Sequence, residues 1–280
     1  MSTKFNKTIS FYNISLSYNP LNVQSATSDN GYVKSIFDTI FPEGVYLYKI
    51  NDEYLMDVLE YTDEYIYAMI CKNDTPTIPM SHIREPDNST HPFKLNNGQQ
   101  LEKYTYIYID IKNLKISYLV SQSIREPNRL LIEMTNRISD NCIEITPIII
   151  ENPSEYFKNN YIEKATFSEI EPAGAKKLMS KMYNSDIGIK KVHLNIDFNE
   201  SDSSKVWTFV KKLVHSNSHK TINLITKNKE NNLISVIDAI TNCIKLKSEI
   251  ELTDNQTDNQ HIIKNILKNE LAKMILNKMI

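Results

Sequence analysis

Three short patterns in the chain combine residue types that could do chemistry. The first is Pro86-Asp87, followed by Asp110-Ile111-Lys112. Two carboxylates and a lysine in that order suit a magnesium-dependent nuclease, in which the acids hold the ion and the lysine helps the attacking water. Asp110 and Lys112 fall at the end of an alternating strand, as that chemistry needs. Asp87 falls in a segment with four prolines between residues 73 and 92, with no strand to hold it. So short a pattern arises by chance in a chain rich in lysine and aspartate, and a magnesium nuclease is carried as the minor alternative. The second pattern is His215 and His219, four apart as helical zinc ligands are, but Asn217 and Ser218 lie between them and no acid follows until Glu230. The expectation is therefore no metal and no cofactor.

The third pattern is the most informative. Ser203–Lys229 holds six lysines, Lys205, Lys211, Lys212, Lys220, Lys227 and Lys229, and no acid. On a helix over this segment, Val206, Phe209, Val210, Leu213 and Val214 form the apolar stripe. Lys205, Thr208, Lys211 and Lys212 lie opposite it, and Trp207, the one tryptophan, also falls off it. An exposed aromatic among lysines packs on sugar or base while the ammonium groups neutralise phosphate. The preceding segments add Lys176, Lys177, Lys181, Lys190 and Lys191. With no arginine there to read base edges, binding would be independent of sequence. The competing interpretation is a solvated helix face, with Trp207 buried in an interdomain or dimer contact.

Nothing else points to catalysis. The five glycines, Gly31, Gly44, Gly98, Gly174 and Gly188, are too scattered to cradle a phosphate. There is no HExxH and no GxSxG. Cys71, Cys142 and Cys243 form no CxxC pair and read as small packed hydrophobes. The expectation is a binding protein, not an enzyme, with no catalytic residues.

The elements that must position these residues read as α+β in two domains. The N-terminal domain, residues 1–152, is mainly antiparallel strand with a short helix at 32–41. Tyr12 to Tyr18 alternate; Val45–Ile50 and Glu53–Tyr61 flank a turn at Asn51-Asp52; Tyr65–Cys71 is a further strand. Tyr104, Tyr106 and Tyr108 face one way and Ile107, Ile109 and Ile111 the other, then Lys115–Val120 and Cys142–Ile150 follow. Residues 73–92 read as loop and 152–160 as the domain junction. The tyrosine-rich strands invite comparison with sheets that stack single-stranded bases, but tyrosine is a common strand residue and this half is acidic. The C-terminal domain, 161–280, alternates strands at 163–170, 190–198 and 221–226 with helices opening at Pro172 and Ser203. The near-repeat at 253–260 reads as a linker, and 261–280 as a terminal amphipathic helix that docks on the chain itself or on a dimer partner.

Composition sets the limits. The 280 residues are 41% hydrophobic and 24% charged, enough to build a core. Net charge is −2, but residues 1–150 hold 13 Lys/Arg against 18 Asp/Glu while 151–280 hold 19 against 16. Any surface for a polyanion must therefore be a local patch in the second half. No signal-peptide core and no apolar run near 20 residues is present, so a cytoplasmic chain without membrane insertion is expected.

Several collinear pieces resemble the RexA-like phage exclusion (abortive infection) family. They are Tyr46-Leu47-Tyr48-Lys49-Ile50 with an acidic turn and Tyr54-Leu55-Met56; the strand pair Tyr106–Asp110 and Leu114–Val120; the strand from Lys164 through Phe167; and the strand-then-lysine-helix unit Val192–Val214. The resemblance implies a two-domain α+β fold, a homodimer, binding of double-stranded DNA without sequence preference, and a role in anti-phage defence as sensor for a membrane effector partner. One departure is that the link from Phe198 to the following helix, basic in the family, carries Glu200 and Asp202 here. The alternative of another class is a protein-interaction adaptor working through the terminal helix.

Overall fold

The chain is an α+β protein with a C-terminal helix. The computed structural model describes residues 3–16, 29–74, 82–84, 86, 90–92, 95–96, 99–124, 126–138, 143–168, 193–198, 203–215 and 221–276. They divide into two compact units. One comprises Tyr12–Thr146 and Thr253–Leu271, and the other Met1–Phe11, Pro147–Leu252 and Ala272–Ile280. They are called here the tyrosine unit and the lysine unit. The division differs from a single cut at 152–161: the first residues run with the lysine unit, and most of the terminal helix runs with the tyrosine unit.

In the tyrosine unit the strands run in the order β1-β8-β7-β4-β3-β2. These are β1 (Thr3–Leu16, its residues from Tyr12 onward), β2 (Leu47–Lys49), β3 (Tyr54–Tyr61), β4 (Tyr65–Asn73), β7 (Glu102–Asp110) and β8 (Lys115–Leu119). The segment expected to be loop holds a small antiparallel pair, β5 (His82–Arg84) with β6 (Thr90–Pro92); its prolines obscured the alternation. Period-two patterning sends Ile66, Ala68, Ile70, Ile107 and Ile109 into one buried cluster. Onto it pack Val33, Ile36, Phe37 and Ile40 of α1 (Asp29–Ile40) and Leu130, Leu131 and Met134 of α2 (Pro127–Asn136). The helix α2 was not expected from the sequence, although Pro127 at its start and that i, i+1, i+4 apolar set are helix signals. β9 (Ile143–Pro147) pairs with β1.

The opposite face of this sheet is a ladder of phenol rings. Tyr65 stacks on Tyr108 at 5.2 Å and Tyr67 on Tyr106 at 5.8 Å, each pair spanning β4 and β7. The terminal helix covers the ladder. It runs Gln256–Leu276, so residues 256–260, the larger part of the near-repeat expected as a linker, are helical, with Thr253 N–H donating to Asn259 Oδ1 at 2.7 Å as its start is folded back. Ile263, Leu267 and Leu271 are buried. The Tyr67 hydroxyl donates to Gln260 O at 2.7 Å, Ser117 Oγ to Leu267 O at 3.0 Å, and Lys264 Nζ to both oxygens of Glu60 at 2.7 and 2.8 Å. A single-strand stacking platform on these tyrosines is thus occupied by the chain's own helix: Tyr67, Tyr106 and Tyr108 are all buried.

Burial makes the phenolate forms of Tyr67, Tyr106 and Tyr108 costly, and neighbouring phenols and carboxylates add to it, so all three are raised above the ordinary tyrosine value of 10.0. In the unfolded chain they titrate near that value. Between it and the raised folded values the unfolded state binds fewer protons than the folded one, so stability falls as pH rises. Lys264 acts in the same direction. Its hydrogen bond to Glu60 raises it above 10.5, so the stability it contributes is present below that value and lost as pH rises through the folded one. Urea midpoints of the tyrosine unit are expected to fall steeply above about pH 10. A midpoint unchanged between that pH and about one unit higher would show that the ladder is not sealed.

In the lysine unit the strand order is β11-β10-β12-β13-β14-β1, and each neighbouring pair is antiparallel. These are β10 (Asn160–Ser168), β11 (His193–Asp197), β12 (Thr221–Asn228), β13 (Ile234–Asp238) and β14 (Ile244–Leu252), with the residues of β1 up to Phe11. Asn232 and Asn242 take the left-handed conformation, φ 57° each, in the turns that join β12 to β13 and β13 to β14, where asparagine is among the residues best able to do so. The stretch expected as a junction is a helix, α3 (Pro153–Asn159). Asn152 is its cap, accepting from Glu155 N–H at 3.2 Å, and Pro153 sits at its first position. The Asn-Pro pair signals a helix start as well as a linker, and the buried Tyr156 and Phe157 decide for the helix.

Candidate nucleic-acid interface

The lysine-bearing helix is α4, Ser203–His215. Its N-terminus is tied to the sheet, where Ser203 Oγ accepts from the Ile162 N–H at 3.2 Å. Ser203, Trp207 and Val210 are buried, with Val206 and Val214 half-buried beside them. The expectation for Trp207 is corrected here. It is 6% exposed, not outward, and its ring lies 4.9 Å from that of Phe157 on α3. Phe209, which its spacing placed in the apolar stripe, is 45% exposed. Trp207 and Phe209 stand at the two limits of an apolar arc of about 160°, so turning the helix to bury one moves the other towards water. Trp buries the larger surface, and Phe157 offers it a partner.

The outcome is an outer face of a different make-up. Lys205, Thr208, Phe209 and Lys212, at i, i+3, i+4 and i+7, line a shallow depression of about 260 Å³. Lys211 is exposed beside them, its ammonium 6.0 Å from the Trp207 ring centroid at the helix shoulder. Two further lysines of the expected patch lie at the end of β12. Lys227 pairs across strands with Tyr161 and holds its ammonium 5.9 Å from that ring. Lys229 Nζ donates to the backbone oxygen of Lys158 at 2.6 Å. Among the described residues no carboxylate comes within 4.0 Å of the ammonium groups of Lys212, Lys227 or Lys229. Elsewhere in the unit pairing does occur, as between Lys4 and Glu249 at 2.7 Å. Lys176, Lys177, Lys181, Lys190, Lys191 and Lys220 lie outside the described residues, as do Glu200 and Asp202.

The other chemistry-bearing patterns meet structural roles. Asp110 holds the turn between β7 and β8: its Oδ1 accepts from the Asn113 N–H at 2.9 Å and its Oδ2 from the Asn113 amide at 2.8 Å. Lys112 Nζ lies 3.6 Å from Glu64. Asp87 and His219 fall outside the described residues. Among the described residues no three His, Cys, Asp or Glu side chains come together as a metal site requires. Burial, with Asp57 and Glu102 nearby, pushes the Cys71 thiol up to about 12, far from a reactive thiolate.

A polar cleft of about 800 Å³ opens in the tyrosine unit between the β3–β4 end and α2. Its cations are matched by acids within it: Lys103 to Asp74 at 2.9 Å, Lys72 to Glu53 at 3.5 Å and Arg129 to Glu126 at 3.7 Å. With Asp52 and Glu133 also in the lining, five acids face three cations, and this acidic excess disfavours an anionic ligand. No helix among the described residues is long and apolar enough to cross a membrane.

Comparison with protein-family models gives no match, and comparison with curated proteins gives none either.

Proposed function

We propose that this chain is a sequence-independent DNA-binding protein whose binding surface is the outer face of α4. The observation that carries the reading is the alignment of Lys205, Lys212 and the exposed Phe209 on one helix face. Ammonium groups so placed neutralise phosphates and release their counterions, which supplies affinity without regard to base sequence. Among the described residues of this face none offers a guanidinium or side-chain amide for base edges. The resemblance to the RexA-like family supports the setting: a dimeric sensor in an anti-phage system that passes DNA occupancy to an effector partner.

The test is a salt titration of binding to a generic duplex, followed by fluorescence anisotropy. Affinity is expected to fall steeply as salt rises. With Lys205, Lys211 and Lys212 all replaced by Glu, the slope of log K against log salt becomes shallower by about 0.9 for each phosphate left without its lysine, and affinity at low salt falls at least about tenfold. Equal slopes and affinities for the two proteins would remove α4 from the interface.

A further inference from the structure

Resting on the DNA-binding reading, the geometry of α4 assigns it a preferred substrate form: single-stranded nucleic acid, held by stacking of an unpaired base on Phe209. Phe209 carries no charge and no hydrogen-bonding group, so it contributes nothing to a phosphate. Duplex DNA keeps the faces of its bases inside the stack, where a ring standing on a helix surface does not reach them. A single strand offers those faces, and every base has one, so stacking adds affinity without adding sequence preference.

The surroundings of the ring fit that use. Phe209 is 45% exposed and shares its depression with two lysines and one hydroxyl. Lys205 and Lys212 are two helical turns apart, about 10 Å along the axis, with the ring between them. An ammonium on each side brackets the phosphates flanking a base laid on the ring, and Thr208 lines the same depression. The depression is shallow, which suits a flat base on an exposed ring and not a deep side-chain anchor. Trp207 is unavailable for this role because it is packed on Phe157.

The experiment compares oligothymidylate with a duplex of equal length, for the full chain and for its F209A, F209L and F209Y variants. An exposed residue tolerates these changes, so folding is not at stake, and circular dichroism checks it. The expected result is tighter binding of the single strand by the unaltered chain. F209A and F209L should lose about tenfold for the single strand and less than about twofold for the duplex, while F209Y keeps both. If both substrates bind equally and F209A changes neither, while the triple lysine variant loses both, the stacking inference is overturned and the DNA-binding reading stands. If neither substrate binds the unaltered chain, both fall.

Discussion

Replacing Trp207 with Ala is expected to cost the lysine unit about 3–5 kcal/mol. The ring is 6% exposed, lies 4.9 Å from Phe157, and shares its helix face with the fully buried Val210. Its removal leaves a void between α3 and α4 that the ends of two short elements cannot close. Whole domains are stable by about 5–15 kcal/mol, so the variant should unfold at markedly lower urea. Trp207→Phe is expected to cost far less, about 1 kcal/mol. Part of the reason is that Trp207 Nε1 is buried with no hydrogen-bond partner among the described residues, so Phe gives up volume but no bond. Circular dichroism follows both variants, since the altered residue is the only tryptophan. Trp207→Phe should bind DNA as the unaltered chain does. A Trp207→Ala variant as stable as the unaltered chain would mean that the ring is not packed, and would restore it as a candidate for the binding surface.

That one helix shows where the sequence was legible and where it was not. The period of α4, its limits and its lysines follow from spacing alone. The rotation of the helix about its axis does not, because Val206, Trp207, Phe209, Val210, Leu213 and Val214 support two overlapping stripes. The choice between them depends on Phe157, a residue far earlier in the chain. The strands of the tyrosine unit were easier, since alternation such as Tyr104 to Ile111 admits only two faces. Even there the pattern held no indication that both faces are covered. Asn152-Pro153 and the 253–260 repeat misled for a shared reason: the residues that cap and open helices are also those that make linkers. Unit membership of the terminal helix was equally hidden, for its apolar stripe demands a partner without saying which.

Leu267 is the point at which that partner can be tested. It is fully buried, and its backbone oxygen accepts from Ser117 Oγ on β8. Leu267→Ala keeps that bond, because the carbonyl remains, and isolates the apolar contribution. The expected loss is about 2–5 kcal/mol from the tyrosine unit, the range for transfer of the missing carbons plus the cavity they leave. Leu267→Asp places a carboxylate at a position sealed from water and should detach the helix altogether. Detachment has its own signature. Tyr67, Tyr106 and Tyr108 are raised chiefly by burial, so uncovering them returns their titration towards the ordinary value. Ultraviolet titration should then show more phenolate near about pH 11 in Leu267→Asp than in the unaltered chain. If the helix instead served a separate partner, as an adaptor would use it, Leu267→Asp would leave the stability and tyrosine titration of the isolated chain unchanged and abolish only the partner's binding.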